Sequence, residues 1–275
     1  NIILDPILIF GLLGFPTMGI TGAAVATVIG QMIAALIGLI LNQTKNHEVQ
    51  LKFHHFRLNG KIIRQIYGIG IPSIIMQAIG SLMTYAMNLI LITFTPTATA
   101  VFGVYFKLQS FVFMPIFGLN SGVIPIMSYN YGANKRARVT KTLNHTIIYA
   151  VIILAAGFLL FQAAPVPLLR MFNASDHMIA IGVPALRIIS FSFVPAAVSI
   201  VCSSAFQSLD RAVYSMFISI ARQLVVLLPV AYLLAQVATV DFVWLSFPIA
   251  EIASLLLTLV FMKKLHRDVI SKLAE

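Results

Sequence analysis

Three long, almost uncharged stretches constrain this chain more than anything else in it: residues 67–94, 142–166 and 214–236 hold one formal charge between them, Arg222. Each reaches the roughly 20 residues that a helix needs to cross about 30 Å of hydrocarbon. One soluble core could not absorb so many. Composition points the same way, with 60% hydrophobic and 9% charged residues and a mean hydropathy of +0.97, where a soluble domain carries about 25% charged residues. The expected fold class is all-α, a polytopic transmembrane helix bundle.

Hydrophobic periodicity and loop signals place spans at about 1–13, 17–42, 60–94, 97–126, 142–166, 178–207, 211–236 and 240–264. Every second connection is basic. Residues 43–59 hold Lys45, Lys52 and Arg57; residues 130–141 hold Lys135, Arg136, Arg138 and Lys141; Asp210 and Arg211 form a short turn; the tail holds Lys263, Lys264, Arg267 and Lys272. The intervening connections hold only Arg170. By the positive-inside rule the basic set, with the C-terminus, is expected in the cytoplasm. This distribution also argues against nucleic acid as the partner of a chain whose net charge is +10, because the cations alternate between loops and do not gather on one face.

The chain starts at Asn1 inside a hydrophobic segment, with no Lys/Arg-led leader. It reads as a piece whose front is missing. Cys202 has no second cysteine with which to form a disulfide or a thiolate cluster, and the six His make no metal-ligating pair. Neither a nucleophile constellation nor a phosphate-cradling Gly loop is present, so an enzyme is not expected and no cofactor is implied. Energy for any work on a solute must then come from an ion gradient.

Asp5, directly before Pro6, is a carboxylate inside an apolar helix. A charge near the bilayer centre costs roughly 2.5–3.5 kcal/mol, so such a group is neutral, partnered or functional. Four more charges fall inside spans away from their ends: Lys107, Arg187, Arg222 and Glu251. Arg222 and Glu251 lie on consecutive antiparallel spans at depths that differ by about 5 Å, so a salt bridge is feasible. Either the pair pins two helices together, or Glu251 lines a cavity and attracts cations or exchanges protons. Lys107 is divided between cavity lining and structural pairing, and Arg187 reads as structural. Gln77, Gln109, Asn120 and Ser121 are possible solute contacts or interhelical hydrogen bonds. The 20 Phe and 11 Met would suit a pliable wall around varied amphipathic solutes.

The run Asn1-Ile2-Ile3-Leu4-Asp5-Pro6, then Phe10-Gly11 and Gly19-Ile20-Thr21-Gly22-Ala23-Ala24-Val25-Ala26-Thr27, resembles the fifth and sixth helices of a MATE (multidrug and toxic compound extrusion) transporter. Gly70-Ile71-Pro72-Ser73 and Pro125-Ile126-Met127-Ser128-Tyr129-Asn130-Tyr131-Gly132-Ala133-Asn134 agree with that family as well. The resemblance covers the whole chain and implies helices five to twelve of twelve. Residues 1–42 would end the N-terminal lobe, 43–59 would be a cytoplasmic inter-lobe loop, 60–264 a six-helix C-terminal lobe and 265–275 a cytoplasmic tail.

Such a resemblance implies a monomeric antiporter of the bacterial inner membrane. It would export amphipathic or cationic compounds against protons or sodium ions by alternating access. It further implies a cation or proton site at Asn1 and Asp5, whose i, i+4 spacing would let the amide hold the carboxylate, with Thr27 as a further oxygen. A second cation site known in some branches is not matched, because residues 77–82 and 195–207 hold no acid. Protons are favoured slightly over sodium, since one desolvated carboxylate can take up a proton without a full cage of oxygens. The alternative is a lipid-linked oligosaccharide flippase of the same superfamily. Such proteins carry several cavity cations, and here those candidates are few and partly balanced by Asp5 and Glu251.

Overall fold

The computed structural model describes residues 1–46, 58–237 and 239–273, and every element in them is helical. Lys52, Arg57, His47, His54 and His55 lie outside the described residues. Contacts divide the chain into two units, residues 1–63 and 64–275.

In the first unit, α1 (Leu4–Phe10) is only seven residues long, about 10 Å at 1.5 Å per residue. Of the span expected at 1–13, Leu4–Phe10 is α-helical. It ends at Gly11, whose backbone is left-handed at φ 71° and whose N–H donates to the Ile7 carbonyl. A side chain at Gly11 would also meet Thr17 and the Phe15 carbonyl, so glycine is required twice over. A short 3₁₀ turn, Leu12–Gly14, follows. Then α2 (Gly19–Lys45) rises through 27 residues, about 40 Å and long enough to span. The two helices meet where Gly22 lies against the backbone of Leu8, and the Met18 N–H donates to the Leu8 carbonyl at 3.0 Å.

The second unit holds most of α3 (Gly60–Ile92), followed by α4 (Pro96–Gly132), α5 (Arg136–Ala163) and the short α6 (Pro165–Arg170). Next come α7 (Asp176–Ser190), α8 (Phe193–Ser208), α9 (Ala212–Ile220), α10 (Leu228–Val237), α11 (Val240–Val243) and α12 (Ser246–Asp268). Thr95 caps α4, its hydroxyl accepting from the Ala98 N–H with Pro96 in the first turn. Residues 130–141, read as a loop, are mostly helical. Here α4 runs through Gly132 and α5 restarts at Arg136, with Asn134 supplying the left-handed residue at φ 58°. The connection between α5 and α7 likewise contains α6.

Among the described residues six helical stretches are long and apolar enough to cross a membrane, and α7 with α8 passes as a pair bent by 50°. That pair is the segment expected as one span at 178–207. The break falls at Phe191 and Ser192, where the Phe191 and Ser192 N–H groups bond to the Ile188 and Ile189 carbonyls in three-residue turns. Between α9 and α10 the chain widens into a π-helical turn, Ala221–Leu227. Its Leu228 N–H reaches the Gln223 carbonyl, five residues back. Pro229 follows at once and has no N–H of its own, and its ring would crowd a carbonyl in the preceding turn, a common cause of such local unwinding.

Aromatic rings link the helices through the largely aliphatic core of this unit. Phe102 lies 6.3 Å from Trp244 and 5.9 Å from Phe247, and Phe193 packs edge-on against Phe113 and Phe161 at 5.2 and 5.0 Å. Those contacts tie α4, α5, α8 and α12 into one packed body, and edge-to-face rings add about 0.5–1.5 kcal/mol each beyond their area.

Candidate functional site

Two carboxylates within the helices centre the candidate sites, Asp5 in the first unit and Glu251 in the second. In the first unit Asp5 sits in the first turn of α1, half-buried, where a carboxylate opposes the positive end of the helix. Its Oδ1 is buried and has no hydrogen-bond partner among the described residues. Asn1 does not hold it through the side chain as the spacing suggested. The contact from residue 1 to residue 5 is a backbone one, Asp5 N–H to the Asn1 carbonyl at 2.8 Å. The Asn1 amide nitrogen instead donates to Thr27 Oγ1 at 3.4 Å, and that hydroxyl donates on to the Ala23 carbonyl at 2.9 Å. Gly30 leaves the room in which the Asn1 amide lies. The side chains of Asn1 and Thr27 thus meet, while the Asp5 carboxylate is left with an open acceptor.

In the second unit a cavity of about 340 Å³ opens between α4, α8, α9, the π turn and α12. Glu251 on α12 is 5% exposed, and its Oε2 accepts from Arg222 Nη1 at 3.1 Å. The salt bridge expected from helix depth is formed, and both residues line the cavity. The π turn sets this geometry, carrying Arg222 toward the cavity while its neighbour Gln223 is buried near Gly80.

Around the pair the wall is hydroxyl-rich. Asn120 and Ser121 come from α4, Ser199 and Ser203 from α8, and Ser254 from α12. Asn120 Oδ1, Ser199 Oγ and Ser254 Oγ are buried without a protein partner. Leaving a buried polar group unmade costs about 1–3 kcal/mol, so this wall suits a polar occupant better than an apolar one. The serine face of α8 was missed in the sequence, although Ser199, Ser203, Ser204 and Gln207 recur at i, i+4, i+5 and i+8 on one side of a helix.

Three other expected cavity residues lie elsewhere. Lys107 is exposed, its Nζ 5.9 Å from the centre of the Phe172 ring. Gln109 is half-buried and Gln77 exposed, and neither lines the cavity around Glu251.

The comparison with known families decides the class. Residues 72–233 match the MatE family. The chain belongs to that family. MatE proteins are transporters and not enzymes. Among curated relatives the chain is 28% identical over 251 residues to the multidrug export protein MepA of Staphylococcus haemolyticus, covering 91% of this chain and 54% of that protein. It is 36% identical over 135 residues to MepA of Staphylococcus aureus, 49% of this chain and 29% of that protein. The chain therefore spans about half the length of the first of these relatives. A solved outward-facing multidrug resistance MATE transporter of the MOP superfamily superposes with a TM-score of 0.89 at 22% identity, over 99% of this chain and 61% of the other. That likeness establishes the fold: this is a multi-pass membrane protein of MATE architecture.

Proposed function

We propose that the protein exports amphipathic or cationic compounds across the bacterial inner membrane, coupled to the entry of protons or sodium ions by alternating access. The observation that carries this reading is the buried Asp5 Oδ1, an acceptor without a partner among the described residues beside the Asn1 to Thr27 hydrogen bond. A carboxylate in that setting takes up a cation or a proton to complete its bonding. The multidrug export named in the MepA relatives supports the solute class. The basic connections support a cytoplasmic C-terminus, and a single copy contains both charged sites, in keeping with a monomer.

Protons are the favoured ion. A proton needs a single carboxylate oxygen, whereas hard cations usually gather six or more ligands. A lipid-linked oligosaccharide flippase is less well supported, because Arg222, the cation in the cavity of the second unit, is already paired with Glu251.

The test is efflux of an ethidium-like cation from cells expressing the full-length protein, comparing wild type with Asp5→Asn under separately imposed proton and sodium gradients. Loss of gradient-driven efflux in a mutant that still inserts places coupling at Asp5, and the effective gradient names the ion. Undiminished efflux would refute coupling at Asp5.

A further inference from the structure

At the ends of α5 and α12 remote from the α5–α6 connection, Arg136, Lys141, Asn144, His145 and His266 surround a cavity of about 650 Å³. A second, adjoining cavity of about 360 Å³ shares Lys141 and His145 and adds Arg138. No acidic side chain lines either among the described residues. Asp268, two residues beyond His266, is engaged by Arg267 at 3.0 Å. The cavity is therefore cationic and its charge is not cancelled from within.

His145 adds direction. Its Nδ1–H donates to the Lys141 carbonyl at 2.8 Å, which holds the ring at the edge of the pocket beside Lys141. Arg136 and Ala137 of the first turn of α5 line the pocket, so the positive end of that helix borders it. Arg, Lys and imidazole around the start of a helix form a receptor for a phosphate group.

What the two helices present next to this pocket chooses between a free phosphate and a lipid. Along α5 the face of Lys141 and His145 continues at helical spacing into Ile148 and Ile152, which are exposed, with exposed Tyr149 beside them. Along α12 the face of His266 continues toward the helix interior through Leu259, Leu256 and Ile252, also exposed. A soluble anion has no use for two apolar tracks leading from its binding pocket. A molecule with an anionic head and hydrocarbon chains uses both.

We propose that the basic pocket formed by Arg136, Lys141, His145 and His266 binds the headgroup of an anionic phospholipid, in the leaflet that the basic loops face, with its acyl chains along the exposed faces of α5 and α12. Each cation near a lipid surface contributes enough that removing two should weaken selective lipid retention by on the order of tenfold.

The full-length protein is purified in detergent with phosphatidylglycerol and phosphatidylcholine, and retained lipids are counted by native mass spectrometry. Wild type is compared with Arg136→Gln/Lys141→Gln and with Lys45→Gln/Lys272→Gln, which removes equal charge outside the pocket and off its two apolar tracks. The proposal expects wild type and the second variant to prefer phosphatidylglycerol and the first variant to lose that preference. It is overturned if wild type shows no preference, if both variants lose it equally, or if free glycerol phosphate displaces the lipid. Should the pocket variant fail to fold, a photoreactive phosphatidylglycerol on wild type decides. Labelling of peptides within 136–152 and 252–266 upholds the site, and labelling elsewhere overturns it.

Discussion

Arg222 Nη1 and Glu251 Oε2 lie 3.1 Å apart across the π turn and α12, with Glu251 buried and the Arg222 side chain 36% exposed toward a hydroxyl-lined cavity. Removing one member of a buried pair strands the other charge. Arg222→Met should destabilise the protein by about 2–3 kcal/mol, less than the most deeply buried pairs because arginine keeps some solvent. The double change Arg222→Met/Glu251→Met should recover much of that loss. Thermal unfolding of the four proteins in one detergent, read as a double-mutant cycle, measures the coupling. A double variant as unstable as the sum of the singles would mean that the pair contributes nothing.

Gly22 sits against the carbonyl of Leu8 with no room for a methyl group. Gly22→Ala must therefore push α1 from α2, because the obstacle is backbone and cannot rotate aside. A cost of about 1–3 kcal/mol is expected, in the range for overpacked contacts. A cysteine pair bridging α1 and α2 should cross-link more slowly in the variant than in wild type.

Thr27 accepts from Asn1 at 3.4 Å, near the outer limit for a hydrogen bond. Thr27→Val should accordingly reduce efflux by a modest factor, about two- to threefold, which corresponds to roughly 0.5 kcal/mol. Thr27→Ser should stay near wild type. Dose–response curves in the efflux assay separate these from Asp5→Asn, for which loss should be nearly complete. Equal losses in Thr27→Val and Asp5→Asn would contradict a supporting role for the hydroxyl.

Ser254 Oγ is buried on the cavity wall without a protein partner. Ser254→Ala therefore removes no intramolecular bond and relieves an unmet buried group, so thermal unfolding should find it at least as stable as wild type, by up to about 1–3 kcal/mol. A clear loss of stability would show that the hydroxyl is held by the protein after all.

Much of the helical plan was legible in residue order because lipid leaves the backbone little choice. Runs such as 142–166 must be helical once they are in hydrocarbon, and the alternation of basic loops pairs them. The boundaries were less legible. The segment 130–141 reads as a loop by its charges, yet Arg136, Arg138 and Lys141 extend α5 beyond its apolar stretch, since charge does not stop a helix and the left-handed Asn134 does. The bend at Phe191 and Ser192 has a signal in Pro195, which has no N–H to give the Phe191 carbonyl, but the residue order does not say that the helix turns there by 50°. Of the sites, the Arg222 to Glu251 pairing followed from helix depth alone, whereas the serine face of α8 was visible in spacing and passed over.

By itself the sequence determined that this chain is a set of membrane-crossing helices, which residues carry charge into them, and that Arg222 and Glu251 stand at matching depth; these depend on hydropathy and on rise per residue, both local properties. Only the tertiary structure decided that the Asn1 amide turns to Thr27 and leaves Asp5 Oδ1 open, and that Lys107 lies over Phe172 away from the cavity. Those outcomes depend on the azimuth of each helix, which a glycine contact such as Gly22 on Leu8 or a π turn before Pro229 resets by a fraction of a turn. Such rotations depend on packing between segments remote in sequence, and no local pattern encodes them.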